Sequence, residues 1–237
     1  MAAVHQQDTM PTKPRAVNPT LLARAAKLDA ALNAAFPDAV CALQYTNPLQ
    51  LLVATILSAQ CTDVRVNIVT PALFARYKTA AEFAESDVAE LEKLIQSTGF
   101  YRNKAKSIRE ACKDIVVLHG GVVPKTLEEL FALHGVGRKT ANVVLGNAFN
   151  IPGMVVDTHV GRIARRLGFT KNTDAVKVEH DLMRLFPEER WTPVGHEMIF
   201  LGRKYCKAPT PRCMGCPLVE VCPYPKKNFA MKPAPTN

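Results

Sequence analysis

Long apolar runs are missing from this 237-residue sequence. The longest apolar stretch lies near residues 51–59 and is too short to span a bilayer. No basic segment followed by an apolar one opens the chain, so we expect no secretory signal. The alternating pattern of a half-buried strand and repeats of fixed period are missing as well. Because 48% of the residues are nevertheless hydrophobic, these absences favour an all-α globular protein.

Acidic residues are the scarcer charged type, with 21 Asp and Glu against 30 Lys and Arg. The resulting formal net charge of +9 favours an anionic partner such as nucleic acid, although a solvated basic surface also fits the charge alone. Four of the seven cysteines crowd into residues 206–222, and the others lie in apolar or helical surroundings. That distribution predicts an intracellular metal site with additional buried thiols, not a disulfide framework.

Apolar residues recur at helical spacing along most of the chain. Asn18 is a candidate N-cap for the first helix, and the helix near residues 51–59 is apolar on every side, which predicts a buried position. The predicted helices cover residues 19–32, 51–59, 64–77, 86–96, 103–119, 127–134, 141–148 and 160–167. Residues 1–18 and 226–237 are polar and rich in proline, and we predict disordered tails there.

The C-terminal cysteines are Cys206, Cys213, Cys216 and Cys222, separated by six, two and five residues. Four thiolates this close in sequence can surround one metal centre. Zinc and a 4Fe–4S cluster both fit four cysteine ligands. Zinc sites usually pair two short knuckles, and this loop has only one, so the spacing favours the bulkier cluster but leaves zinc open.

Residues 133–141 contain two glycines, Gly135 and Gly137, on either side of Val136 and directly before a predicted helix. Glycine permits a tight turn, and a helix start presents free N–H groups to an anion such as a DNA phosphate. An ordinary turn between two helices is the alternative. Lys139 lies in the first turn of this helix, where the dipole and partial burial would favour the neutral amine that nucleophilic attack requires. A lysine that merely binds phosphate is the competing interpretation.

Asp157 ends the apolar run of residues 154–156 and opens the next predicted helix. An N-cap aspartate is the simplest interpretation. A carboxylate can, however, cap a helix and still stabilise a developing cation. A basic face lies nearby, which is either functional or merely solvated, and it is formed by His159, Arg162, Arg165 and Arg166.

Taken together, these segments resemble the endonuclease III family of the helix-hairpin-helix glycosylase superfamily. The resemblance covers about residues 20–225. It rests on the hairpin with Lys139, on residues 156–159 (VDTH), on the cysteine loop and on residues 57–63 (LSAQCTD), all in the family's order.

The resemblance implies a bifunctional DNA glycosylase and AP lyase of base excision repair. Its substrate would be double-stranded DNA containing oxidised pyrimidines of the thymine glycol type or abasic sites, with the damaged nucleotide flipped out of the helix. Lys139 would attack C1′ of the sugar and form a Schiff base, after which β-elimination nicks the strand. Asp157 would activate the lysine or stabilise positive charge on the sugar.

The resemblance also assigns binding residues. Gln60 would fill the gap left by the flipped base, and Phe100 would act as an apolar wedge between bases. The remaining DNA-binding candidates are Gly135, Val136, Gly137, Arg138, Thr140 and His159. The four loop cysteines would hold a 4Fe–4S cluster. We further expect a cytoplasmic, nucleoid-associated monomer.

The same resemblance implies two lobes. Residues 40–151 would form a helical barrel that ends with the hairpin helix, and residues 19–39 plus 152–225 would form the cluster domain. DNA would lie across the cleft between them, with Lys139 and Asp157 facing each other.

Three positions depart from the family pattern. His134 stands where proline commonly precedes the hairpin, Phe100 where leucine is expected, and Leu201 where histidine is common. Lys139 argues against a monofunctional adenine glycosylase, and the pair of Lys139 and Asp157 argues against a non-catalytic damage sensor. A zinc-binding interaction module would be colourless, unlike an iron–sulfur protein.

Overall fold

A computed structural model describes residues 17–230 of the chain. The prediction of an all-α fold is confirmed, because these residues form eleven α-helices and two short 3-10 helices and contain no strand. The α-helices are α1 (Pro19–Ala35), α2 (Pro48–Leu57), α3 (Asp63–Arg76), α4 (Ala80–Ala84), α5 (Val88–Ile95), α6 (Tyr101–His119), α7 (Leu127–Ala132), α8 (Arg138–Ala148), α9 (Thr158–Arg166), α10 (Ala175–Met183) and α11 (Trp191–Lys204). The 3-10 helices cover Gln96–Thr98 and Glu188–Arg190. None of the helices within residues 17–230 is long and apolar enough to cross a membrane.

Each predicted helix has a counterpart in the structure. Asn18 caps α1 as predicted, since its side chain accepts a hydrogen bond from the Thr20 N–H at 2.9 Å. Three further helices, α4, α10 and α11, were not predicted. The first has only five residues, and α11 follows a 3-10 helix without a capping side chain, so it lacks the usual start signal.

The predicted tails lie mostly outside the described residues, namely at 1–16 and 231–237. Residues 226–230 are described and contact the cysteine loop. Lys227 donates a hydrogen bond to the carbonyl of Val219, and the carbonyl of Asn228 accepts one from the Cys213 N–H.

Two hydrophobic cores organise the helices. The first core contains α2 through α8 together with Leu43 and Val155, and it is built around α2, whose residues 51–57 are all buried as predicted. The second core contains the apolar faces of α1, α9, α10 and α11 together with Met154 and Val156. The limits of the two lobes given above remain a prediction.

A short segment, residues 153–157, crosses from one core to the other. Met154 and Val156 pack in the second core, whereas Val155 between them packs in the first. Asn142 of α8 donates a hydrogen bond to the Met154 carbonyl, and the Thr192 hydroxyl of α11 lies 3.2 Å from both the N and the O of Gly153. The segment is therefore fixed to one helix of each core.

A partly buried ion network joins α1 to α11. Arg190 lies 2.9 Å from Asp29 of α1 and donates at 2.8 Å to both carboxylate oxygens of Glu197 of α11. Glu197 is only 3% exposed. Burial raises the pKa of the Glu197 carboxyl, although the neighbouring Arg190 acts in the opposite direction.

We expect Arg190→Met to destabilise the fold, because it leaves the buried Glu197 carboxylate without its cation. The free energy of unfolding should fall by about 3 kcal/mol, measured by urea denaturation. Arg76→Met removes a comparable but exposed pair with Glu90 and serves as the control. Equal losses in the two variants would contradict the role assigned to the network.

Candidate active site

A cleft of about 920 Å³ opens between the two cores. Lys139 and Gln60 line it from the first core, and Asp157 and His159 line it from the second. A smaller cavity of about 90 Å³ adjoins it and is lined by both Lys139 and Asp157. The structure thus brings the two predicted catalytic residues to one cleft. Lys139 is exposed, however, so the partial burial expected from the sequence was wrong.

The glycine hairpin between α7 and α8 is packed tightly against α6. Gly135 has a φ of +72°, and a Cβ at this position would lie 2.7 Å from the Cβ and Oγ of Ser107. Asp114, further along α6, accepts a hydrogen bond from the His134 N–H at 2.8 Å. Both the backbone conformation and the available space therefore require glycine at position 135.

Val136 does not lie on the surface, where a DNA-binding residue is expected. Its side chain is buried in the first core, and its N–H donates to the Leu133 carbonyl within the turn. Neither group is free for DNA, so Val136 anchors the hairpin and shapes it. Sequence analysis had grouped it with its glycine neighbours because the signal belongs to the whole hairpin.

The start of α8 is suited to receive an anion. The first N–H groups of an α-helix have no partner within the helix, and the N-cap Gly137 offers no side chain to satisfy them. Lys139 and Thr140 both lie in this first turn. The helix dipole adds a partial positive charge at the same end.

Arg138, in contrast, is engaged elsewhere. Its Nε donates to Glu179 of α10 at 2.8 Å, and Glu179 is only 4% exposed. The pair ties the hairpin helix to the second core across the cleft. Arg138 is therefore placed to position the hairpin, a role that the sequence did not indicate, and its contact with DNA stays a prediction.

Asp157 is the N-cap of α9, as the sequence predicted. Its Oδ1 accepts from the Val160 N–H at 2.8 Å, while Oδ2 lies 3.3 Å from Nδ1 of His159. The His159 ring is seated against Gly202 of α11, where an added Cβ would come within 2.8 Å of it. One carboxylate oxygen thus closes the helix end, and the other remains on the side of the cleft.

Gln60 and Phe100 share an unusual backbone conformation. Their φ angles are 52° and 48°, in the left-handed region that non-glycine residues seldom occupy. Both side chains are exposed, and that of Phe100 is 63% exposed. Gln60 lines the cleft, whereas Phe100 lies at the start of α6 and is not among the lining residues.

Further polar residues line the cleft that sequence analysis did not select. Arg203 of α11 donates to Asp63 of α3 at 2.7 Å, forming another ion pair between the cores. Asp63 lies within residues 57–63, a segment that carried part of the family resemblance. That resemblance was the one sequence feature that could have indicated Asp63 as a site residue. Nothing in the sequence indicated its partner, 140 residues away.

The four loop cysteines line one apolar cavity together with side chains of α9 and α11. Arg166 donates to Sγ of Cys206 at 3.3 Å, and the Asn228 N–H donates to Sγ of Cys213 at the same distance. Burial raises the pKa of the Cys216 thiol to about 11. Within residues 17–230, no group of three or more His, Cys, Asp or Glu side chains is arranged to hold a metal ion.

Of the basic face considered above, Arg165 is exposed and lines the cleft, whereas Arg162 and Arg166 are engaged by the cysteine loop. Arg162 donates through Nε and Nη2 to the Cys206 carbonyl, and Arg166 donates to the carbonyls of Lys207 and Pro209. Both arginines hold the cysteine loop against α9. Burial lowers the pKa of Arg162, because its guanidinium is partly removed from water.

Comparison with known proteins identifies the class to which this fold and site belong. The profile of the HhH-GPD superfamily of base excision DNA repair proteins matches residues 53–188. Endonuclease III of Synechocystis sp. is 53% identical over 201 residues, covering 84% of this chain and 92% of that protein. Endonuclease III of Bacillus subtilis is 50% identical over 188 residues, covering 79% and 86%.

Solved structures agree with the sequence comparison. A non-covalent endonuclease III–DNA complex is 44% identical with a TM-score of 0.81, covering 86% of this chain and 95% of the other. A trapped endonuclease III–DNA covalent intermediate is also 44% identical, with a TM-score of 0.82 and coverage of 86% and 96%. The chain belongs to the endonuclease III family within the HhH-GPD superfamily.

We expect Gly135→Ala to destabilise the hairpin, since alanine is strained at this φ and its Cβ would collide with Ser107. The free energy of unfolding should fall by at least about 2 kcal/mol. Gly137→Ala is a matched control, because a Cβ there meets nothing within 4 Å and the φ of −85° suits any residue. Similar stability of the two variants in thermal denaturation would show that the contact with α6 is unimportant.

Proposed function

We propose that this chain is a bifunctional DNA glycosylase and AP lyase of base excision repair, which removes oxidised pyrimidines and nicks the strand. The observation that carries the proposal is the placement of Lys139 and Asp157 on one cleft, with Lys139 at the uncapped start of α8. Each residue comes from a different core, so a nucleotide flipped into the cleft would meet both.

Lys139 acts as the nucleophile. Its amine attacks C1′ of the damaged nucleotide, the glycosidic bond breaks, and the base leaves with the bonding electron pair. Loss of a proton from the nitrogen and opening of the sugar give a Schiff base, from which β-elimination cleaves the C3′–O bond. The exposed position of Lys139 leaves its amine accessible to the sugar.

Asp157 stabilises the positive charge that develops on the sugar, or accepts the proton that Lys139 loses. Oδ1 is occupied by the Val160 N–H, which fixes the orientation of the carboxylate, and Oδ2, in contact with His159, is available for this task. A charged group that is already oriented needs little reorganisation when the reaction occurs. His159, which contacts Oδ2, lies beside the same sugar and would help to bind the strand.

The hairpin and the start of α8 bind the phosphate backbone. The free N–H groups of the first turn and the positive helix end supply a contact that is independent of sequence. The net charge of +9 adds long-range attraction. The similarity to an endonuclease III solved with DNA supports this partner. We assign this contact to Gly135, Gly137 and Thr140, with Arg138 positioning the hairpin helix.

Gln60 and Phe100 enter the duplex at the lesion. Both are exposed on short turns, and an apolar side chain such as Phe100 stabilises an unstacked base step. Gln60, on the cleft wall, is the candidate for the gap left by the flipped nucleotide. We also propose that the chain acts as a monomer, in the cytoplasm and on the DNA of the nucleoid.

The residues around the cysteine loop fit a 4Fe–4S cluster. Cys206, Cys213, Cys216 and Cys222 surround one apolar cavity, and N–H donors already point at two of the sulfurs, as is typical for such clusters. When bound, the cluster supplies a redox-capable iron centre and cross-links the loop. The loop itself lies outside the catalytic cleft, so no step above depends on it.

Covalent trapping tests the catalytic proposal. The protein is mixed with duplex DNA carrying one thymine glycol, and borohydride is added to reduce any Schiff base to a stable amine. We expect a protein–DNA cross-link in the wild type and none in Lys139→Gln, because the variant has no amine at that position.

Lys93→Gln, which alters an exposed lysine on α5, should cross-link like the wild type. Fluorescence anisotropy should show that Lys139→Gln still binds the lesion. Trapping that persists in Lys139→Gln would assign the nucleophile to another amine, and absence of trapping in the wild type would refute the lyase activity.

The metal proposal predicts a yellow-brown protein that contains about four iron atoms per chain. Cys213→Ser should lose iron and visible absorption because one ligand is gone. Cys112→Ser changes a buried cysteine outside the loop and should keep both. A colourless wild-type protein that contains zinc would overturn the assignment.

A further inference from the structure

Lys104 is a buried lysine in the first turn of α6. Only 4% of it is exposed, and its ammonium donates at 2.8 Å to the carbonyls of both Leu57 and Thr98. Both acceptors are neutral backbone groups. Burial lowers the pKa of the Lys104 ammonium, which reflects the cost of keeping a charge away from water. Such a costly arrangement calls for a structural or functional reason.

The two carbonyls are special because each ends a helix. Leu57 is the last residue of α2, and Thr98 is the last residue of the 3-10 helix at Gln96–Thr98. Carbonyls at helix ends lack partners within the helix, and the C-terminus of α2 carries a partial negative charge. One ammonium therefore closes two helices that are 41 residues apart in sequence at this point.

Each closed helix leads directly into one of the exposed left-handed residues. Gln60 follows Leu57 by three residues, and Phe100 follows Thr98 by two. Cys61 donates its N–H to the Ser58 carbonyl within the first of these turns. A non-glycine residue with positive φ is strained and persists only where the surroundings enforce it. Lys104 fixes the backbone at the start of both turns through its two hydrogen bonds.

We propose that Lys104 is a positioning residue that sets the separation of Gln60 and Phe100, so that both side chains enter the duplex together. The inference rests on the proposed function, in which these two residues fill the gap and wedge the neighbouring bases. Turns whose backbone is fixed before binding lose less conformational freedom on insertion, so more binding energy remains for flipping the nucleotide.

A purely structural role for Lys104 makes a different prediction. In that case, loss of Lys104 would lower stability and activity on every substrate, whether or not the side chains of Gln60 and Phe100 are present. A positioning role depends on Gln60 and Phe100 and matters most where a base must be unstacked. An abasic site has no such base, so its extrusion requires less help.

The test compares Lys104→Met with Lys106→Met in the full-length protein. Methionine resembles lysine in length but cannot donate, and Lys106 is an exposed lysine on the same helix. Single-turnover strand cleavage is measured on duplexes with thymine glycol and with a preformed abasic site, well below the melting temperature of each variant. Lys104→Met should slow thymine glycol cleavage at least about tenfold, as expected for losing a charged donor. The abasic site should be affected about threefold or less, and Lys106→Met should resemble the wild type.

Double-mutant cycles separate the positioning role from simple destabilisation. In a background carrying Gln60→Ala and Phe100→Ala, adding Lys104→Met should slow cleavage by less than about twofold, since the groups it positions are already gone. A tenfold effect in both backgrounds, or equal losses on both substrates, would overturn the proposal. Lys104→Gln retains a neutral donor and provides the same comparison if the methionine variant does not fold.

The two proposals fail in distinguishable ways. If the wild type cleaves thymine glycol DNA and Phe100→Ala slows it, the proposed function stands. A wild-type rate in Lys104→Met would then refute the positioning role alone. A wild type without cleavage would refute the proposed function itself.

Discussion

The site depends on the short segment at residues 153–157, which links the two hydrophobic cores. Lys139 belongs to the first core and Asp157 to the second, so the distance between these two side chains is set by the segment that joins the cores. Met154, Val155 and Val156 alternate between the cores, and Asn142 and Thr192 fix the backbone just before Asp157. Because the hairpin helix α8 carries both Asn142 and Lys139, the helix that presents the proposed nucleophile also holds the segment that ends at the Asp157 carboxylate.

Helix α6 fixes the parts of the site that would contact DNA. Lys104, Ser107 and Asp114 are three and seven residues apart, so they share one face of the helix. The first holds the turns of Gln60 and Phe100, the second packs against Gly135, and the third accepts the His134 N–H. A single helix thereby sets the distance between the inserting residues and the hairpin, which loops alone could not keep constant.

Local signals explain which parts of this arrangement were predictable from sequence. The helices, the Asn18 cap, the hairpin and the Asp157 cap each depend on residues within a few positions of one another. The engagement of Arg138 by Glu179 and of Arg166 by the cysteine loop depends on partners about 40 residues away, so the residues around each arginine gave no sign of it. Val136 was misplaced for a related reason: a hairpin motif specifies a backbone shape but not which of its side chains faces the core. Lys104 gave no signal, since a lysine in an amphipathic helix is ordinarily solvated.

Helix α9 connects the cysteine loop to the carboxylate of Asp157. Asp157 caps its N-terminus, while Arg162 and Arg166 near its C-terminus donate to the Cys206 carbonyl and its neighbours. Nine residues of α-helix extend only about 13 Å, so a rigid element separates the loop from the reacting end. The loop carbonyls compensate two guanidinium groups that lie close together on one helix face. An ordered cysteine loop therefore stabilises α9, whose first turn orients Asp157. This contribution explains why the loop packs against α9 although it lies outside the cleft.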